Sequence, residues 1–135
     1  MLLGLSIRDV VLIDRLDIVF EPGLSVLTGE TGAGKSILLD SLGLALGARS
    51  ESGLVRPGAA QLSVSAEFAL APGHPALALL AEQAIEAEQS LFLRRTVSSD
   101  GRSRAFVSIP SPISLRWKLN WKRSGATSMP RSKRR

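Results

Sequence analysis

Eight consecutive residues, Gly29, Glu30, Thr31, Gly32, Ala33, Gly34, Lys35 and Ser36, fit the pattern G-x-x-x-x-G-K-[ST]. Average residue usage gives on the order of one chance match per few hundred chains of this length, so the match is informative. The pattern is the phosphate-binding P-loop, and each fixed residue type has a chemical reason. A triphosphate is a dense anion, so several backbone N–H groups must converge on one point. Gly29, Gly32 and Gly34 permit the φ values and close approach that a Cβ would block. A helix beginning at about Lys35 aims its free N–H groups and positive dipole end at the phosphates. The Lys35 ammonium then reaches the β- and γ-phosphates as a point charge, and the Ser36 hydroxyl ligates Mg²⁺. Glu30, Thr31 and Ala33 fill the variable positions. A glycine-rich turn that binds nothing is the competing reading, but such a turn needs no Lys-Ser pair after its last glycine.

The elements that must hold this loop are legible around it. Leu24, Ser25, Val26, Leu27 and Thr28 read as a short buried strand ahead of the loop. Ile37, Leu38, Leu39 and Leu42 place apolar residues along a helix that runs to about Leu46 and ends at Gly47, a C-cap residue. Strand, glycine loop and helix in that order predict an α/β fold of the P-loop NTPase class.

The remaining chain is read by period and punctuation. Residues 3–7 and 16–20 are expected strands, and Glu21-Pro22-Gly23 is a turn. Leu62, Val64, Ala66, Phe68 and Leu70 alternate with Ser63, Ser65, Glu67 and Ala69, the period of a strand with one covered face. Pro72-Gly73-His74-Pro75 breaks the chain, and residues 76–88 are expected to form an amphipathic helix. Residues 91–97 and 103–107 read as a hairpin about Ser99-Asp100-Gly101-Arg102, because Asp-Gly favours that geometry.

Composition bounds the function. At 135 residues and 44% hydrophobic there is material for one globular domain. There is no cysteine, which excludes disulfides and thiolate metal sites and fits a reducing cytosol. No run of apolar residues is long enough to span a bilayer, and the N-terminus lacks the form of a signal peptide. The net charge of +5 is unevenly placed: residues 1–107 carry −3 and residues 108–135 carry +8 with no acid. The basic character therefore belongs to the tail.

Several stretches together resemble the start of the RecN family, an SMC-like branch of the ABC ATPases. They are Leu5-Ser6-Ile7-Arg8-Asp9, Leu12-Ile13-Asp14, Phe20-Glu21-Pro22-Gly23-Leu24, the loop itself with Ile37-Leu38-Leu39-Asp40, Leu46-Gly47-Ala48-Arg49, Leu54-Val55-Arg56-Pro57-Gly58-Ala59, and Leu93-Arg94-Arg95 with Asp100-Gly101-Arg102-Ser103-Arg104-Ala105-Phe106-Val107. The resemblance covers roughly residues 1–107. It implies the N-terminal lobe of an ATPase head split between the two ends of a long chain and joined by a coiled coil. It implies ATP and Mg²⁺ as ligands, a head-to-head homodimer, DNA as a partner of the full-length family protein, recombinational repair of double-strand breaks, and a place in the bacterial cytoplasm near the nucleoid. No membrane partner is expected.

Beyond Val107 the sequence departs from the family. No Q-loop follows, and the signature motif and the Walker B Asp with its catalytic Glu do not occur in this chain, so no catalytic residue is assigned. Residues 108–135 are expected to be a basic, disordered appendage of the kind a frame shift or truncation produces. Two other readings compete. One is a small basic nucleic-acid-binding protein that uses Trp117 and Trp121 among Lys118, Lys122 and Arg123; the other is a fragment without function. Without the C-terminal half of a head, Ile37, Leu38 and Leu42 are expected to face water or a loose core.

The other polar residues favour plain roles. Asp40 is read as structural, and Arg49 and Arg56 as solvated loop arginines. Arg94 and Arg95 must point to opposite faces of a strand and cannot form one patch. His74 has no second histidine or cysteine with which to hold a metal.

Overall fold

A computed structural model of the chain describes residues 1–29, 32–50, 52–87 and 90–109. Five strands form one antiparallel sheet: β1 (Leu2–Val10), β2 (Ile13–Val19), β3 (Gln61–Ala69), β4 (Ser90–Ser98) and β5 (Ser103–Ser108). Their spatial order is β2-β1-β3-β4-β5. Helix α1 (Gly32–Ala45) enters between β2 and β3, and the short α2 (Pro75–Glu82) between β3 and β4. The period-two pattern of β3 was legible in advance and fixes the register, pairing Val64 with Ile7 on one side and with Arg95 on the other.

Directly paired residues share a face. Leu5, Ile7, Leu62, Val64, Ala66 and Val97 therefore point to one side, where they are buried with Val10 against Leu44 of α1. Val10 joins them although it lies three residues after Ile7, because Asp9 adopts φ +53 and breaks the extended alternation there. Ile37, Leu38 and Leu42, expected to face water or a loose core, are partly buried and pack against this core. The sheet itself covers them.

The strand expected at residues 24–28 is absent. Leu24 is 93% exposed and Val26 70% exposed, and none of the five strands pairs with this stretch. A buried strand exists only when neighbouring strands satisfy its N–H and C=O groups. The residues described here supply none, so the apolar pattern stands without its sheet. Among the exposed large apolar residues are Leu24, Val26, Leu27 and Leu39, and not Ile37, Leu38 or Leu42.

Two further boundaries differ. β3 is buried on its outer face too, at Ser65 and Glu67; Arg94 lies over Ser65, its Nε donating to Ser65 Oγ at 3.0 Å. Helix α2 stops at Glu82, six residues short of the expected end. Ala84 takes φ +57, and the Ala84 and Ile85 N–H groups donate back to the Ala81 and Leu80 carbonyls, a Schellman closure that ends the helix without glycine. Gly47 closes α1 in the same way, at φ +103 with Ala48 N–H donating to the Gly43 carbonyl.

Candidate functional site

The glycine loop leads directly into α1, which begins at Gly32, three residues earlier than the sequence suggested. The first four N–H groups of a helix have no partner within it. Here they belong to the loop residues themselves, Gly32 to Lys35. Gly32, Gly34, Lys35 and Ser36 are all exposed. No acid occupies the first turn, so nothing there repels an anion. Glu30 and Thr31 lie outside the described residues, and of Ala33 only the backbone is described.

Two details sharpen the chemistry. Lys35 Nζ donates to the Gly29 carbonyl at 3.3 Å, so the ammonium is folded back over the mouth of the loop. Neither Gly32 nor Gly34 has a positive φ, which corrects one expectation for these two positions. A Cβ built on either would touch nothing within 4 Å. Their use is therefore the second reason given for glycine, an unobstructed approach to the backbone N–H groups.

The helix is held to the sheet at its far end. Leu44 is 2% exposed in the core and Ser41 is fully buried. Between α1 and the following loop lies a cleft of about 260 Å³ lined by Leu39, Asp40, Gly43, Leu44, Ala48, Arg49 and Leu54. Asp40 and Arg49 thus share a cleft, yet both are exposed and no ion pair joins them. The cleft sits beyond the loop along α1 and does not include Lys35 or Ser36.

Arg56 is not the solvated arginine the sequence suggested. Its Nη1 donates to Asp14 Oδ1 at 2.8 Å and lies 3.6 Å from Asp9 Oδ1. Its N–H donates to the Asp9 carbonyl at 2.8 Å, while Val11 N–H donates to the Leu54 carbonyl. The residue fastens the β1–β2 turn, where Asp9 and Val11 both hold positive φ. Nothing local could have signalled a contact 42 residues apart.

The outer face of the sheet carries its own polar cluster. Arg8 donates to both Asp17 carboxylate oxygens at 3.0 Å, and Ser6 and Arg15 add bonds of 2.6 and 3.1 Å. Burial pushes the Asp17 pKa up, but the bonds from Ser6, Arg8 and Arg15 outweigh it and hold the group below its ordinary 3.8. In the hairpin, Arg102 Nε donates to Asp100 at 2.7 Å and lowers that carboxyl. His74 caps α2, its Nδ1 accepting from Ala76 N–H at 3.1 Å. Arg94 and Arg95 fall on opposite faces, as their adjacency requires: Arg94 is exposed over Phe92, and Arg95 is half-buried beside the core. Trp117, Trp121 and the tail cations lie outside the described residues.

Comparison with known proteins follows this geometry closely. The profile of the AAA domain family matches residues 5–129. The chain belongs to the AAA domain family. Within it, the chain is similar to the DNA repair protein RecN of Bacillus subtilis, at 45% identity over 104 residues, 76% of this chain and 18% of that protein. RecN of Haemophilus influenzae is 42% identical over 117 residues, 84% of this chain and 21% of that protein. The chain thus spans about a fifth of the length of these relatives. The backbone resembles a structure solved in work on ATP-driven dimerization and DNA-stimulated activation of SMC ATPases. The TM-score is 0.65 at 23% identity, covering 84% of this chain and 74% of that one, a likeness of fold. The AAA-type α/β fold and the RecN-like N-terminal sequence accord with the reading of the motifs. Among the described residues no helix is long and apolar enough to cross a membrane.

Proposed function

We propose that the chain binds Mg-ATP at residues 29–36 and is the ATP-binding N-terminal segment of a RecN-like protein of recombinational double-strand-break repair. The observation that supports this reading is that Gly32, Gly34, Lys35 and Ser36 stand at the start of α1, with Lys35 Nζ held at the Gly29 carbonyl. The free N–H groups and the dipole end of α1 bind the phosphate oxygens. Lys35 exchanges a weak carbonyl contact for the β- and γ-phosphates, and Ser36, exposed one residue further on, offers its hydroxyl to Mg²⁺. The donor set fits a magnesium triphosphate: one cation, one hydroxyl, several backbone N–H groups and no competing acid in the first turn.

Magnesium bound there offsets phosphate charge. The chain's own groups bind and orient the nucleotide, and none of them is assigned to activate water. Turnover in the full-length protein therefore depends on groups outside this chain, supplied across a head-to-head homodimer that acts on DNA in the bacterial cytoplasm at the nucleoid. Residues 1–107 form the head segment in this reading, and residues 108–135 a basic tail. Titration calorimetry with Mg-ATP tests it. Lys35→Ala removes a charge-assisted contact and should weaken binding by about 1.5–3 kcal/mol, roughly 10- to 100-fold in Kd. Equal affinity in the two proteins would sink the reading.

A further inference from the structure

A phenylalanine stands in water on the sheet face turned away from α1. Leu44 places α1 on the side of Ile7 and Val64. The opposite side of β4 and β5 carries the alternate residues: Phe92, Arg94 and Thr96, with Ser108, Phe106 and Arg104 directly across from them. Phe106 is 48% exposed, Arg94 and Arg104 are exposed, and Phe92 and Thr96 are half-buried. Phe92 and Phe106 are diagonal neighbours in this register, close enough for both rings to meet one ligand. Arg94 stands beside both. Its Nε donates to Ser65 Oγ at 3.0 Å, and its guanidinium lies 5.9 Å from the Phe92 ring centroid.

The chemistry of this face selects its ligand. Its six residues supply two rings, two guanidiniums and two hydroxyls but no aliphatic side chain, so an apolar protein segment finds little to pack on. Neither β4 nor β5 contains an Asp or Glu. The acids on adjoining elements leave the face positive: Glu67, across from Phe92, is buried, Asp17 is held by Arg8 and Arg15, and Asp100 by Arg102. No ion pair engages Arg104 among the described residues. An exposed ring offers its face to a planar base, and a guanidinium fork matches a phosphate. In a duplex the base faces are hidden by their stacked neighbours, and only an unpaired strand presents them.

We infer that the outer face of β4–β5 binds single-stranded DNA, with bases stacked on Phe92 and Phe106 and phosphates met by Arg94 and Arg104. The choice of DNA over RNA rests on the RecN-like reading above. The stacking site itself rests neither on the glycine loop nor on the basic tail. Arg95, one residue from Arg94, takes no part, because it points to the face that α1 covers.

Two measurements on the 135-residue chain test it. Its two tryptophans, Trp117 and Trp121, lie in the tail, so Phe106→Trp in a Trp117→Phe, Trp121→Phe background puts the sole indole on this face. At about 0.3 M NaCl, where the tail's hold on phosphates is weakened, added oligothymidylate should quench the indole fluorescence saturably. In the second, fluorescence anisotropy of a labelled oligothymidylate reads affinity. Phe106→Leu, which keeps apolar bulk but loses the ring, and Arg104→Gln should each weaken binding by about 5-fold or more at an unchanged melting temperature. Absent quenching, or full affinity in Phe106→Leu, would overturn the inference. So would oligouridylate binding this face more tightly than oligothymidylate, or blunt duplex DNA quenching the indole equally. Nucleotide is left out of both measurements, so a chain that binds no ATP can still pass them and a chain that binds ATP can fail.

Discussion

Leu44 and Leu39 lie five residues apart on the helix that carries the glycine loop, and the structure gives them opposite weights. Leu44 is 2% exposed inside the core formed with Ile7, Val64 and Val97, whereas Leu39 is 68% exposed. Truncating a buried leucine loses the transfer free energy of its methyl groups and leaves a cavity, together about 3 kcal/mol. Leu39→Ala loses little buried surface and should stay within about 0.5 kcal/mol of the parent. With a urea m-value of about 2 kcal/mol/M, the Leu44→Ala midpoint should fall by roughly 1.5 M while that of Leu39→Ala hardly moves. Total stabilities of small domains are about 5–15 kcal/mol, so Leu44→Ala removes a large fraction. Urea titration followed by far-UV circular dichroism reads both shifts. Equal midpoints for the two variants would refute the placement of α1 on the sheet, and with it the orientation of the loop.

Acid should destabilise the protein partly through Asp17. Its folded pKa lies below the ordinary 3.8, so its stabilising effect is present above the unfolded value and is lost as pH falls through the folded one. Asp17→Asn should therefore narrow the stability difference between about pH 6 and about pH 2, and an unchanged difference would count against the cluster. The uncovered stretch at Leu24, Val26 and Leu27 should promote association at high concentration. Leu24→Ser with Val26→Ser should shift sedimentation toward the monomer, and an unchanged distribution would contradict that. Steady-state ATP turnover by this chain should equal that of Lys35→Ala, since its sequence holds no acid in a Walker B context to activate water; turnover well above that control would reveal a catalytic group.

How much of this was legible depended on range. The β3 alternation, the Asp100-Gly101 hairpin and the Gly47 cap are local signals, and the structure shows each where the pattern put it. The loop residues 29–36 were legible because spacing alone defines them. The strand at residues 24–28 was misread because its apolar run describes a sheet position whose neighbours are not among the described residues. Helix α2 was overrun because Ala84 closes it at a φ that alanine rarely adopts. Arg56 gains its role through Asp14, 42 residues away in sequence, and single-residue chemistry cannot announce it.

The account's central claim is that triphosphate sits on the N-terminus of α1, and the basic tail makes bulk affinity an incomplete test. Eight cations in residues 108–135 attract any polyanion. Backbone amide shifts in the ¹⁵N-labelled chain, recorded as Mg-ATP is added, separate the two sites. The account predicts large, saturable shifts at Gly32, Gly34, Lys35 and Ser36, absent in Lys35→Ala, with Ile7, Val64 and Val97 unmoved. Shifts confined to residues 116–135 and abolished by salt, with residues 29–36 silent, would contradict it.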